Sequence, residues 1–229
     1  MASCEAVKAE NLSTMIMGFA HFGQRKQAGW AGEPEHIQLL RVTLSVMSIF
    51  TKPLSQLGTA DLQELLNDGA VENARLEFKL QVPNKEDTLK KLSSFPNTFG
   101  GFMVIGAKAD STDGRIQDLS GVDVVAGYKQ KVVQWCLDSA SPPLVVEVSD
   151  PIPAPSDNSK FCYVAYTAES DVAPHFLNGR KGIWVRTDEF SARFEAHLAT
   201  ENELRHLFDR RKSGFGSLLL KCGLIQRVN

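Results

Sequence analysis

The chain has 229 residues, of which 43% are hydrophobic and 23% are charged, and its formal net charge is −2. This composition excludes disordered and low-complexity chains. The charge excludes a strongly basic protein that binds nucleic acid through its overall field alone, although a local basic groove stays compatible with it.

The length suits one domain of roughly 150 residues with extensions, or two small domains. The first 46 residues are rich in Gly, Ala and Gln without a strand period, whereas a cleaner pattern begins at Met47. We interpret 1–46 as a leader or loose arm that is not native, with a docking helix as the alternative. The main domain is predicted over 47–199, and a C-terminal helix with an apolar tail over 200–229.

The cysteines stand far apart and form neither a C-x-x-C pair nor part of a zinc quartet. The sequence also has no apolar run of about 18 residues, the length that spans a bilayer. These features predict a cytoplasmic protein with reduced thiols and no membrane span. The cysteines are Cys4, Cys136, Cys162 and Cys222.

A short helix is predicted from Thr59, which suits its N-cap, to the stop signal at 67–69. The segment 76–82 then alternates apolar and polar residues, which predicts a strand with one buried face. Its predicted core face holds Leu76, Phe78, Leu80 and Val82, and its opposite face holds Arg75, Glu77, Lys79 and Gln81.

A second helix is predicted over 86–95, ended by Pro96. The continuous apolar run 102–105 predicts a buried central strand. Turn residues at 110–114 predict a hairpin into 115–119.

A third helix is predicted from about 125 until shortly before Pro142, and Thr200 with Glu203 forms a capping box that opens the last helix. Further strands are predicted over 144–148, 161–166 and 183–186. Leu204, Leu207 and Phe208 are predicted to face inward. The order of elements predicts a mixed α/β (α+β) fold, one domain with a mixed sheet flanked by helices.

Two acidic residues stand near the start of the first predicted strand. Glu72 and Glu77 converge only if the chain bends near 73–74, and the predicted helix-to-strand junction supplies such a bend. Two carboxylates joined by a third Asp would suit Mg²⁺ or Mn²⁺, which can activate water for phosphate chemistry. The alternative is that Glu77 and Lys79 share a solvent face and neutralise each other.

The segment Asn97-Thr98-Phe99-Gly100-Gly101 precedes the buried strand. The two glycines allow close approach of backbone to a ligand or to another strand. Asn97 and Thr98 could donate hydrogen bonds to a phosphate, or serve only the turn.

Several cations lie on predicted edges and turns, and in one groove they would follow a nucleic-acid backbone. A solvated surface is the alternative. His175, in a loop after Pro174, could reach the same groove or be incidental. The cations are Lys79, Lys108, Arg115, Arg180, Lys181, Arg186 and Arg193.

Taken together, these motifs resemble the Schlafen-type AlbA-like domain, a nucleic-acid-binding family common in bacteria, over roughly 70–195. The pattern consists of Glu72-x4-Glu77-Phe-Lys79, Pro96-Asn97-Thr98-x-Gly100-Gly101, a strand ending at Gly106, Pro174, and Gly182-Ile-Trp-Val-Arg186.

Some Schlafen proteins are metal-dependent endoribonucleases that act on tRNA or rRNA through three acidic residues. Glu72 and Glu77 match the first two positions. The third acidic position of the family would fall on Ala109, whereas the acid in this sequence is the next residue, Asp110. A shift of one residue in a strand points the side chain to the opposite face.

The resemblance implies a protein that binds DNA or RNA, and our hypothesis is that Lys79, Lys108, Arg115 and Arg186 contact the nucleic-acid backbone in a local basic groove. The alternative is a Mg²⁺- or Mn²⁺-dependent endoribonuclease that uses Glu72, Glu77 and Asp110. A third interpretation is a regulatory or partner-binding protein, a homodimer through the tail after Gly214. Nucleotide binding is a fourth, although the sequence has no Walker element.

Overall fold

The computed structural model describes residues 48–179, 182–187 and 195–211. The predicted leader over 1–46 and the apolar tail after Gly214 lie outside these residues. So do the cations Arg180, Lys181 and Arg193. In the described part of the chain, helices and both parallel and antiparallel strands combine in an α+β fold, which confirms the predicted fold class.

The helices of the described chain follow the predicted order, with two short 3-10 segments at Ser48–Phe50 and Leu54–Gln56 before them. Each apolar face packs against a sheet or a neighbouring helix. The helices are α1 (Thr59–Asn67), α2 (Lys85–Asn97), α3 (Tyr128–Ser139) and α4, which runs over 201–211.

Two helix ends differ from the prediction. The N-cap of α1 is Gly58 and not Thr59, because the Asp61 carboxylate accepts a hydrogen bond from the Gly58 amide at 2.8 Å. Helix α2 continues through Pro96, since a proline in the last turn forfeits only one backbone hydrogen bond there.

Helix α4 begins with the predicted capping box. The Glu203 carboxylate accepts a hydrogen bond from the Thr200 amide at 2.8 Å, and the Thr200 hydroxyl accepts one from the Glu203 amide at 3.4 Å. Leu207 is buried as predicted, but Phe208 is 47% exposed, so its predicted inward position is wrong. It lies on the helix surface beside the buried stripe.

The main sheet has the order β1-β2-β8-β6, with β7 also paired to β8, and only the β1–β2 pair is parallel. A second sheet has the order β11-β10-β9-β5, and β3 with β4 forms a hairpin. The strands are β1 (Leu76–Lys79), β2 (Gly101–Ile105), β3 (Lys108–Ala109), β4 (Ile116–Asp118), β5 (Ala140–Ser141), β6 (Glu147–Val148), β7 (Ile152–Pro153), β8 (Phe161–Thr167), β9 (Phe176–Leu177), β10 (Gly182–Val185) and β11 (His197–Leu198).

Strand β2 is the buried central strand that the apolar run predicts, and all its residues are buried. Phe102 and Val104 point into a core cluster with α1, while Met103 and Ile105 point into a second cluster with α2 and α3. Both faces of the main sheet are therefore covered, and a continuous apolar run is the pattern that such a strand requires.

Strand β1 is shorter than predicted and lies at the edge of the main sheet. It ends at Lys79, so Leu80 leaves the sheet and is 43% exposed instead of facing the core. Leu76 and Phe78 are buried as predicted. Glu77, which the alternation places on the opposite face and one interpretation exposes to solvent, is also buried, with 3% exposure. The reason is that α2 and the end of β10 cover the second face of this strand.

No helix in the described ranges is long and apolar enough to cross a membrane. Among the same residues the thiols of Cys136 and Cys162 are free and buried.

Candidate functional site

A buried ion pair joins the edge of the main sheet to the second sheet. Arg186 follows β10, and its Nη1 lies 2.5 Å from Oε2 of Glu77 on β1. The two side chains are 0% and 4% exposed. Nη2 of Arg186 donates to the Asn73 carbonyl at 3.1 Å, and the guanidinium lies 4.8 Å from the centre of the Phe95 ring. Arg186 is therefore enclosed by protein groups and is not available to a ligand in this conformation.

Two lysines complete the surroundings of the same carboxylate. The Nζ atoms of Lys79 and Lys91 lie 2.6 Å and 2.8 Å from Oε1 of Glu77. Burial alone would raise the pKa of Glu77, but the attraction of Arg186, Lys91 and Lys79 outweighs it and lowers this pKa to about 2. Burial lowers the pKa of Lys91, against the attraction of Glu77. We call these four residues (Glu77, Lys79, Lys91, Arg186) the charged cluster.

Glu72 satisfies the free edge of β1. Its Oε1 accepts a hydrogen bond from the Phe78 amide at 2.8 Å, on the side of the strand opposite β2. The predicted bend therefore exists, and Glu72 comes within electrostatic range of Glu77. Burial raises the pKa of Glu72, the Phe78 hydrogen bond opposes this shift, and the Glu77 charge adds to it.

Asp110 serves the turn of the β3–β4 hairpin. Its Oδ1 accepts from the Thr112 amide at 2.7 Å, and its Oδ2 accepts from Gln117 Nε2 at 2.7 Å. The hairpin adjoins Glu72, whose amide donates to the Gly114 carbonyl at 2.9 Å. Asp110 is thus near the same edge of the sheet but is bonded within its own hairpin.

The three acids do not form a metal site in this arrangement. The described residues contain no group of three His, Cys, Asp or Glu side chains placed to hold a metal ion. Glu77 is surrounded by cations, which compete with any divalent ion for its oxygens. These residues therefore do not fit Mg²⁺ or Mn²⁺ as they stand.

Asn97 and Thr98 bond to protein groups. The Asn97 amide group donates to the carbonyls of His175 and Trp184 at 3.2 Å and 2.9 Å, and its oxygen accepts from the His175 amide at 2.7 Å. The Thr98 hydroxyl accepts from the Arg186 amide at 2.9 Å and donates to a carbonyl of α2 at 2.8 Å. Both residues are buried, so they hold β9 and β10 against α2 instead of facing a phosphate.

Gly100 and Gly101 allow close packing within the protein. A Cβ on Gly100, which has φ near +70°, would lie 2.6 Å from the Glu169 amide nitrogen. A Cβ on Gly101 would lie 2.4 Å from the Phe95 ring. The sequence leaves open whether these glycines allow close approach to a ligand or to other parts of the protein. The contacts show that they allow close approach within the protein.

His175 is buried, and both of its ring nitrogens lie close to protein oxygen atoms. Its Nδ1 lies 2.8 Å from the Pro142 carbonyl oxygen, which can only accept, so Nδ1 carries the proton. Its Nε2 lies 2.7 Å from the Ser170 hydroxyl. Burial lowers the pKa of His175, which keeps the ring neutral, so this residue has the contacts of a structural histidine.

Lys108 and Arg115 lie on the hairpin beside the charged cluster. The Gly106 and Ala107 amides donate to the Lys79 carbonyl, so the exposed Lys108 follows directly after this contact. Arg115 is 57% exposed, and its guanidinium is 3.6 Å from Asp113. Lys79, Lys108 and Arg115 thus keep access to solvent, and Arg186 does not.

Two features of this region escaped the sequence analysis. Lys91 lies one helical turn before Phe95, an apolar residue of the second predicted helix, and a lysine on a buried helix face requires a buried counter-charge. That spacing could have identified Lys91 as a lysine that requires a buried counter-charge, although not which acid supplies it. Phe99 is 47% exposed although its neighbours on both sides are buried.

The order of these elements and motifs agrees with a comparison to family models. The sequence matches the model described as Schlafen, AlbA_2 over residues 72–195, which is more than half of the chain. This chain belongs to the Schlafen AlbA_2 family. The matched segment begins at Glu72 and contains all four residues of the charged cluster.

Among solved structures, this Schlafen AlbA_2 chain is similar to the crystal structure of the DIP2311 protein from Corynebacterium diphtheriae, with 14% sequence identity and a TM-score of 0.37. The similarity covers 61% of this chain and 26% of the DIP2311 chain, so this chain spans about a quarter of that protein. A comparison with curated proteins gave no match.

Proposed function

We propose that this protein binds the sugar-phosphate backbone of DNA or RNA at the outer edge of β1. The observation that carries the proposal is the charged cluster, in which three cations converge on the single carboxylate of Glu77. Within the charged cluster itself, three positive groups face one negative group. Family membership supports the same interpretation.

The exposed fractions indicate which cations would contact phosphate. The Lys79 side chain is 31% exposed, whereas those of Lys91 and Arg186 are 13% and 0% exposed. Lys79 would therefore meet the backbone, with Lys108 and Arg115 of the hairpin extending the contact. Lys91 and Arg186 would neutralise Glu77 and so free Lys79 for a phosphate.

A titration of fluorescein-labelled oligonucleotides followed by anisotropy tests this proposal. We expect binding at low salt, with log Kd rising linearly with log salt concentration, because phosphate contacts release counterions. Lys79→Ala should weaken binding and reduce the slope by about 0.7 to 0.9 for the loss of one phosphate contact.

Lys160→Ala is the matched control, since Lys160 also pairs with one acid, Asp123, at 2.6 Å and its side chain is 35% exposed. It should leave affinity and slope unchanged. Equal effects of the two substitutions, or no binding by the wild-type protein at low salt, would contradict the proposal.

The endoribonuclease alternative rests on the position of the Glu72 carboxylate, which accepts a hydrogen bond from the amide of Phe78, the residue after Glu77. Because the cluster does not fit a divalent ion, we expect no cleavage of tRNA by the wild-type protein with Mn²⁺. Cleavage that is lost in Asp110→Asn would favour the alternative, since that substitution changes no residue of the charged cluster.

The proposal includes a cytoplasmic location. Cys136 and Cys162 support this location, because both are free thiols and proteins of reducing compartments keep their cysteines as thiols.

A further inference from the structure

We infer that Phe99 is a stacking platform for an unpaired base, so that the nucleic acid bound at the β1 edge is single-stranded at this point. The inference rests on the proposed function and names its substrate class. Phe99 is 47% exposed, and it is the one exposed member of the segment 97–101.

The backbone on both sides of Phe99 is held in place by protein contacts. Thr98 is bonded through its hydroxyl to Arg186, and its carbonyl accepts from Arg210 at 3.0 Å. The Gly100 amide donates to the Phe95 carbonyl at 2.7 Å. A backbone that is fixed before binding loses little conformational entropy on contact with a ligand, which favours recognition.

A cation lies against the same ring. The Arg75 guanidinium is 5.7 Å from the centre of the Phe99 ring. Asn73 in turn holds Arg75, because its side-chain oxygen accepts from the Arg75 amide at 2.8 Å. An aromatic ring beside a guanidinium is the combination that stacks a base and attracts the adjoining phosphate.

The Phe99 platform and the proposed phosphate contact at Lys79 are close enough to bind the same strand of nucleic acid. Arg75 and Lys79 are four residues apart at and beside β1, a separation of about 13 Å along an extended chain. Glu169 packs its backbone against Gly100, and its side chain pairs with Arg210 at 2.7 Å. It therefore does not repel a phosphate with a free charge.

Affinity measurements on a single-stranded oligonucleotide and on a duplex of the same sequence test the inference. Phe99→Ala should weaken single-strand binding about tenfold or more, without changing the salt slope, because stacking is not an ionic contact. Phe99→Trp should retain the affinity. Phe208→Ala, at an equally exposed ring on α4, is the control and should have no effect.

Abasic sites placed at successive positions of the oligonucleotide identify the stacked base. An abasic site at one of these positions should weaken binding by the wild-type protein. The same abasic site should not weaken binding by Phe99→Ala any further. Single-strand affinity of Phe99→Ala equal to that of the wild type, or an equal loss on single strand and duplex, overturns this inference alone. A wild-type protein that binds neither form at low salt overturns the proposed function as well.

Discussion

At the scale of single residues, the interior position of Arg186 requires a counter-charge. A guanidinium with no exposed surface is costly to remove from water unless ion pairs and hydrogen bonds replace its hydration. Glu77, the Asn73 carbonyl and the Phe95 ring supply such contacts to the two Nη atoms and the face of the group, whereas Nε is buried without a hydrogen-bond partner among the described residues. Glu77 therefore stabilises the junction between the two sheets, whatever this edge binds.

The first prediction concerns this pair. Glu77→Gln keeps the shape of the side chain but leaves Arg186 buried without a counter-charge. We expect the free energy of unfolding in urea to fall by about 3 kcal/mol or more. Glu201→Gln, which breaks the exposed pair with Arg205 on α4, should cause no measurable change. Equal stability of the wild type and Glu77→Gln would contradict the prediction.

The pairing of Glu77 with Arg186 also makes the stability of the protein depend on pH. A carboxyl group whose pKa is lowered by folding adds stability above its unfolded pKa and loses that stability as the pH falls through its folded pKa. For Glu77 these values are 4.5 and about 2. The stability difference between the wild type and Glu77→Gln should thus be full above about pH 4.5 and fade towards pH 2. Urea unfolding at a series of pH values measures it, and a difference constant over this window would contradict the assignment.

At the scale of elements, the end of α2 connects the two sheets. Asn97 bonds to the backbone of β10 and to the residue before β9, and Thr98 bonds to the residue after β10. Gly101 then begins β2 directly under α2. This arrangement requires a close approach between Gly101 and Phe95, because the chain turns from helix to strand within a few residues.

A further prediction concerns Gly101. An added Cβ would lie 2.4 Å from the Phe95 ring and 2.6 Å from the Arg75 carbonyl oxygen. Gly101→Ala should therefore destabilise the protein by about 2 kcal/mol or more, as overpacking does. Gly179→Ala is the matched control, since nothing lies within 4 Å of its added Cβ. Thermal unfolding compares the two, and equal melting temperatures would show that the α2–β2 junction can relax.

At the scale of the whole molecule, the net charge of −2 does not describe the edge that we propose to bind nucleic acid. The charged cluster has a local excess of cations, and local field decides where an anion binds. The buried position of Arg186 nevertheless reduces the contact surface to Lys79 and the hairpin cations. We therefore expect a modest, strongly salt-dependent affinity.

A property of the whole molecule that remains a prediction is the formation of a homodimer. It rests on the apolar sequence after Gly214, which lies outside the described residues. We expect the complete chain to elute from a sizing column as a dimer and a chain without 213–229 to elute as a monomer. Circular dichroism should show that the shortened chain is folded. Identical elution as monomers would contradict the prediction.

Much of the fold could be predicted because its signals are local. The alternation at 76–79, the apolar run of β2 and the capping box of Thr200 and Glu203 each depend on neighbouring residues only. The candidate site was harder to predict, because the contacts of Glu77 come from Lys91 and Arg186, which are distant in sequence. Period-two alternation assigns Glu77 a face but does not indicate what covers that face.

The sequence by itself determined the α+β class, the order of the elements and the motifs that characterise the Schlafen AlbA_2 family. Only the tertiary structure decided how those motif residues are used. Asn97, Thr98 and Gly101 pack inside the protein, Glu77 neutralises cations, and Phe99 faces solvent. The physical reason is that burial and charge pairing depend on which distant segments meet, and one-dimensional spacing does not contain that information.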